Sequence, residues 1–292
     1  TYLIDVIVSD NGSPARSTRV SRILRVDAPP AMPLGATDDT DGDGDFDQAE
    51  GYADPDGDGI PAYLDNVDDT NLVPDQTVDM ANMLLLETEP GLILRRGSTS
   101  QAANVFGALV SNRDISRFGN RRGGAPVNAE DSFAHVGGIY DFEIDGLIPG
   151  SSANIVIPMQ SAIPRDASYR KYNPDTGWSD FVVDANNRIA SAIGDMGACP
   201  EPGSSAYTDG LGYLDNCVQL TIQDGGPNDT DNQVNGVIND PAAVGVTLTG
   251  PEGFEEVEEG SGGGRVSLLL LTMLLALGGF ANRRRQRVGR IE

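Results

Sequence analysis

Hydrophobic and polar residues alternate in short runs along most of this chain. The run Tyr2-Leu3-Ile4-Asp5-Val6-Ile7-Val8 and residues 18–26 are both β-rich, and a cluster with an Asn11-Gly12 turn stands between them. That pattern predicts a hairpin. An isolated hairpin is marginal in water, so the rest of its sheet is expected upstream, in a longer protein of which this is the C-terminal part. From Val73 to Thr249 short β runs are broken by turns. Tyr140, Phe142 and Ile144 alternate with Asp141, Glu143 and Asp145, and Val218, Leu220 and Ile222 alternate again. Period-two alternation of this kind predicts half-buried strands. Turns are expected at residues 145–152, 173–177 and 184–187, and a short helix is the alternative over 79–87. Regular short strands with frequent turns favour a mainly β fold, with a β-sandwich as the body. Near the end, sixteen apolar residues (266–281) follow Gly260-Ser261-Gly262-Gly263-Gly264 and precede an Arg cluster. A hydrophobic helix is expected there, about 24 Å long and short for a comfortable membrane span.

Charge divides the chain further. The net charge is −24, but residues 36–94 hold 17 acids and no Lys or Arg. The last 28 residues carry six Arg against one Glu, so everything before them holds −29. Such a balance argues against nucleic acid as a partner, because phosphate binding needs basic stripes. One His, two Cys and a single Lys leave little for zinc, haem or a serine–histidine triad, and neither a Gly-x-Ser-x-Gly elbow nor a phosphate loop occurs. No acid pair suited to glycoside hydrolysis stands out from the rest. His135, beside Val136-Gly137-Gly138, reads as structural rather than as a general base. The chain is not expected to be an enzyme.

The acids of the basic-free stretch are ordered. Asp39, Asp41, Asp43, Gly44, Asp45, Asp47 and Glu50 fall at places 1, 3, 5, 6, 7, 9 and 12 of a calcium loop, with Phe46 at place 8. Alternating carboxylates suit a hard ion that takes 6–8 oxygen ligands. A second loop places Asp54, Asp56, Asp58, Gly59, Ile60 and Asp65 at 1, 3, 5, 6, 7 and 12, with Pro61 at place 8. Prolines crowd the segment and only three residues separate the loops, so no flanking helices fit. These tandem loops resemble thrombospondin type 3 repeats, and residues 54–66 are especially close to the bacterial versions, without the cysteines of animal ones. The resemblance implies calcium as the cofactor. About fifteen carboxylates in so short a stretch repel one another, and ion binding is expected to order it into a stiff spacer.

Cys199 and Cys217, with 17 residues between them, are expected to form a disulfide in an exported chain. Asp224, Asp229 and Asp231 lie in a polar loop that is open between a further ion site and a rigid Asx-turn loop.

Three further resemblances organise the whole. The opening hairpin resembles the closing hairpin of cadherin-like and related immunoglobulin-like repeats. Lys171-Tyr172 with Gly177-Trp178, Cys199-Pro200, residues 217–222 and Asp224-Gly225-Gly226 with Asn235-Gly236 resemble the choice-of-anchor U domain of bacterial surface proteins. The order Gly-rich, apolar, Arg-rich resembles GlyGly-CTERM sorting tails, which implies cleavage near Gly262, Gly263 and Gly264 by a rhomboid-type protease. Five segments are therefore expected: a truncated sandwich hairpin at 1–28, a calcium linker at 29–72, the sandwich at 73–250, an acidic Gly-rich linker at 251–264 and the tail at 265–292. The tail would sit in the inner membrane before processing, its Arg cluster cytoplasmic. The expected function is an adhesin-like module of the bacterial cell surface, with a surface glycan or protein as its ligand class. The alternative is the non-catalytic C-terminal modules of a secreted hydrolase.

Overall fold

A computed structural model describes residues 2–9, 12, 17–24, 33–76, 82–120, 126–195 and 198–247, with side chains from residue 33 onward. The acidic Gly-rich linker, the three glycines expected at a cleavage site, the hydrophobic helix and the Arg cluster all lie outside these residues. Among the described residues no helix is long and apolar enough to cross a membrane.

The opening hairpin forms as its pattern predicts. β1 (Tyr2–Ser9) pairs antiparallel with β2 (Ser17–Leu24), in register from Tyr2 opposite Leu24 to Ser9 opposite Ser17.

The body is built of two six-stranded sheets in which every paired strand is antiparallel. In chain order its strands are β3 (Leu72–Pro74), β4 (Leu85–Thr88), β5 (Ile93–Arg96), β6 (Leu109–Val110), β7 (Phe133–Asp145), β8 (Ser152–Pro158) and β9 (Ser168–Asn173). After these come β10 (Gly177–Asp180), β11 (Arg188–Ala192), β12 (Thr208–Asp209), β13 (Cys217–Gln223) and β14 (Val237–Thr247). The first sheet runs β10-β9-β14-β7-β5, with β6 also on β7, and the second β12-β11-β13-β8-β4-β3. Their facing sides share one core. Leu94, Tyr140, Phe142, Ile144, Ile238 and Val244 from the first meet Leu86, Ile155, Ile157, Val218, Leu220 and Ile222 from the second. The alternation of residues 140–144 and 218–222 therefore does what it predicts, since successive strand side chains leave by opposite faces. Two sheets sharing a core in this way have the arrangement of a β-sandwich.

Both outer faces are partly covered. On the first sheet Val110, Ile115, Ile139, Tyr172 and Ala243 form a smaller cluster beneath two short helices, α2 (Ser98–Ala103) and α3 (Asn112–Phe118). Ser111 caps α3 in a reciprocal box with Asp114, each side chain accepting from the other's backbone amide. On the second sheet Val156, Ala190, Ala192 and Tyr207 pack with Cys217, which is bonded to Cys199 as expected. The short helix considered over 79–87 is corrected: Leu85–Thr88 is strand β4, while residues 77–81 lie outside the described set. Leu86 is buried and Leu85 and Glu87 only half-buried, and pairing with β3 and β8 overrides the local helical preference of that run.

Candidate metal centre

The two acidic loops share one local design. In the first, carboxylates of Asp39, Asp41 and Asp43 fold inward until an oxygen of each lies within 4.8 Å of the others. The inward turn is made by Asx bonds: Gly42 N donates to Asp39 Oδ1 at 2.8 Å, and Asp45 N to Asp43 Oδ1 at 2.7 Å. Gly44, at the sixth place, has φ +106°, a region that L side chains rarely enter. The loop ends in α1 (Asp47–Glu50), a single turn that carries Glu50 back toward the cluster.

The second loop repeats this. Asp54, Asp56 and Asp58 converge within the same 4.8 Å, Gly57 N donates to Asp54 Oδ1 at 2.8 Å, and Ile60 N to Asp58 Oδ1 at 2.5 Å. Gly59 takes φ +95°, and a 3-10 turn (Ala62–Leu64) brings up Asp65. Pro61 sits at φ −68° as the residue before that turn, so it fits the loop rather than breaking it. Ala62 N donates to Ala53 O, Tyr63 N to Gly51 O, and the rings of Tyr52 and Tyr63 meet edge to face at 5.4 Å. The loops are thus packed on each other.

Burial makes this arrangement electrostatically unusual. Asp41 is 5 % exposed, Asp56 7 %, Asp65 4 % and Asp58 fully buried. One oxygen each of Asp41, Glu50, Asp56 and Asp58 is shielded from solvent and has no hydrogen-bond partner. Unpaired buried carboxylate oxygens are costly, and the acids respond by holding their protons. Burial, then the charge of Asp65, pushes Asp58 up to about 8. Burial and the nearby Asp56 push Asp65 up to about 7. Glu50 rises to about 7 and Asp41 rises as well, burial coming first and the neighbouring aspartates adding to it. Asp56 shifts upward for the same first reason. Such a site lacks positive charge at its centre, and a cation ringed by oxygens would satisfy the orphaned atoms.

One residue expected as a ligand, Asp47, is already engaged by a neighbour. Both oxygens of Asp47 accept from Thr40, from its amide at 2.8 Å and its hydroxyl at 2.7 Å, so Asp47 braces the loop. Asp45 is exposed, and its place in the pattern calls for a carbonyl rather than the carboxylate. Ile60 holds the same place in the second loop, where its carbonyl is likewise the expected donor, and its side chain is fully buried.

Two residues with no assigned role in the pattern hold the second loop to the body. Arg95 Nη1 donates to the carbonyl of Gly57, and Arg96 N donates to that of Asp58 at 3.0 Å. The Arg96 guanidinium lies against Gly59, where a Cβ would stand 3.2 Å from it, and its charge partly offsets the rise of Asp58. The signal was present: Arg95 and Arg96 are the first bases after the long acidic stretch.

The third acidic group behaves differently. Asp224 accepts from the amides of Gly150, Asn235 and Gly236, and Asp229 from those of Gly225 and Asn239. Asp231 accepts from the side chains of Asn235 and Asn239. These carboxylates organise the β13–β14 loop in the manner of Asx turns, and among the described residues they do not join a converging acid group. His135 is held by its neighbours. It sits between Asn112 and Asp131, each 3.1 Å away, with its ring 4.4 Å from that of Trp178. Trp178 in turn donates to Ala129 O and is half-buried.

No family model, curated protein or solved structure matches this chain.

Proposed function

We propose that residues 39–65 bind calcium and that the chain serves as an exported, calcium-stiffened display module of a bacterial cell surface. The observation that carries the reading is the set of buried, unpartnered carboxylate oxygens on Asp41, Glu50, Asp56 and Asp58, repeated in two tandem loops. Calcium fits the donors: they are all oxygen, and many are anionic. They belong to irregular loops that adjust to 6–8 ligands, whereas magnesium demands a tight octahedron. Asp39, Asp41, Asp43 and Glu50 would hold one ion, and Asp54, Asp56, Asp58 and Asp65 another. Their link to β5 through Arg95 and Arg96 would pass ion binding to the body as rigidity.

Export and surface display rest on the resemblances to choice-of-anchor U domains and GlyGly-CTERM tails, with the disulfide in accord. Calorimetric titration of chelator-stripped protein tests the first half. Saturable calcium binding that survives millimolar magnesium is expected, and heat-silent, stability-neutral addition would refute it. Mass spectrometry of protein shed from the cell surface tests the second. A terminus near Gly262, Gly263 or Gly264 is expected, and an intact Arg tail on the surface form would rule out processing.

A further inference from the structure

The inner face of the first sheet carries one pair of charged groups. Along β9, Tyr169 faces the core, Arg170 the outside, and Lys171 the core again, in register with Ala242 of β14. On β14, Asp240 lies opposite Phe142 and between Ile238 and Ala242, both of them core residues. Lys171 Nζ donates to Asp240 Oδ1. The side chains are 7 % and 0 % exposed. The other oxygen of Asp240 has no partner, nor has the hydroxyl of Tyr169, which feels the Asp240 charge.

Composition adds an independent observation. Nineteen of the twenty bases are Arg, and Lys171 is the single Lys. Arg is the better partner for a permanent ion pair, because its fork is bidentate and always charged. What Lys offers and Arg cannot is a compact amine able to lose its proton and act as a nucleophile. The chain uses Lys only where a carboxyl carbon lies within reach in a dry core.

We propose that Lys171 and Asp240 condense without external help into an isopeptide bond, an amide between Nζ and Cγ that staples β9 to β14. Burial brings the two groups closer in acidity, lowering Lys171 and raising Asp240, and the reactive amine and carboxylic acid are reached by passing one proton from the ammonium to the carboxylate. The Nζ lone pair then attacks Cγ and forms the new N–C bond. A proton moves from nitrogen to the carboxyl hydroxyl, the C–O bond breaks, and one water leaves. Ammonium and carboxylate become amide and water, and no oxidant, cofactor or activated donor is consumed. Two groups held in contact react with effective concentrations of about 10⁵–10⁸ M when well oriented, and loss of water from the core favours the amide. The bond closes a loop across a sequence separation of 69 and links the strand that joins β7 to β9. The inference rests on the sandwich core and is independent of calcium.

Peptide mapping of the purified full chain tests it directly. A branched peptide joining the segments around Lys171 and Asp240 is expected, lighter than the sum of its parts by one water, with no tryptic cleavage after Lys171. In Lys171→Arg the Asp240 peptide should appear unlinked at its full mass. Wild-type protein whose Lys171 is cleaved normally, with Asp240 at full mass, would overturn the proposal and leave an ion pair that fixes strand register. The same water loss persisting in Lys171→Arg would also overturn it, since dehydration would then lie elsewhere. If Lys171→Arg does not fold, the wild-type map decides alone.

Discussion

Acidity should tune calcium binding in the second loop, and the direction follows from burial. Asp65 and Asp58 hold protons up to about 7 and about 8 in the ion-free fold. A carboxyl raised above its unfolded value, near 4, contributes stability that is complete at low pH and lost as pH rises through the folded value. The ion-free protein should therefore weaken steadily between about pH 4 and pH 8. Calcium bound as proposed would replace those protons. At pH 7 Asp58 is still mostly protonated and Asp65 about half, so binding should release roughly one to two protons. Each proton displaced makes affinity rise about tenfold per pH unit, equivalent to about 1.4 kcal/mol. Calcium at about one hundred times its dissociation constant adds about 2.7 kcal/mol per site, or roughly 5–10 °C in Tm for a body of this size. Titration calorimetry in buffers of different ionisation heat counts the protons, and thermal scans from pH 5 to 8 with calcium or chelator read the stability. Asp58→Asn supplies the contrasting sign. It removes a buried charge, so the ion-free variant should be more stable than wild type at pH 8 yet gain little from calcium. Binding without proton release, or a Tm indifferent to chelator across this range, would refute the reasoning.

Other expectations follow from the packing. Replacing Cys199 and Cys217 together by Ser should cost about 3 kcal/mol in denaturant unfolding, the entropy of reopening an 18-residue loop. Asp224→Ala leaves the amides of Gly150, Asn235 and Gly236 without their acceptor and should cost about 3 kcal/mol, with calcium stoichiometry by titration unchanged. Phe142→Ala opens a cavity between the sheets and should lose about 3–5 kcal/mol, seen as a shift of the urea midpoint. Ser111→Ala removes the cap of α3, for about 1 kcal/mol by the same assay.

Much of the architecture was legible because it is local. Alternation at residues 140–144 and 218–222 marks strands whatever their partners, and the turns at 173–177 and 184–187 open on Asn173 and Asp184, whose side chains accept backbone amides two or three residues on. Spacing alone named the two loops, since Gly at the sixth place answers a backbone requirement. The helices α2 and α3 were less visible, being about two turns or less, although Ser111 with Asp114 is a capping signal. Leu85–Thr88 could not be told from a helix by pattern, because only its neighbours β3 and β8 decide which face is buried.

The sequence by itself determined the strand periodicity, the two oxygen-rich loops and the pairing open to the only two cysteines, all of which depend on spacing along the chain. Tertiary structure decided which acids are buried and unpaired, and which, like Asp47 and Asp224, are spent on bracing loops. It also decided that Arg95 and Arg96 hold the second loop, and that the lone Lys meets Asp240 inside the core. Desolvation and contact depend on residues distant in sequence, so the same Asp reads alike on paper whether it ends up in water or under a sheet.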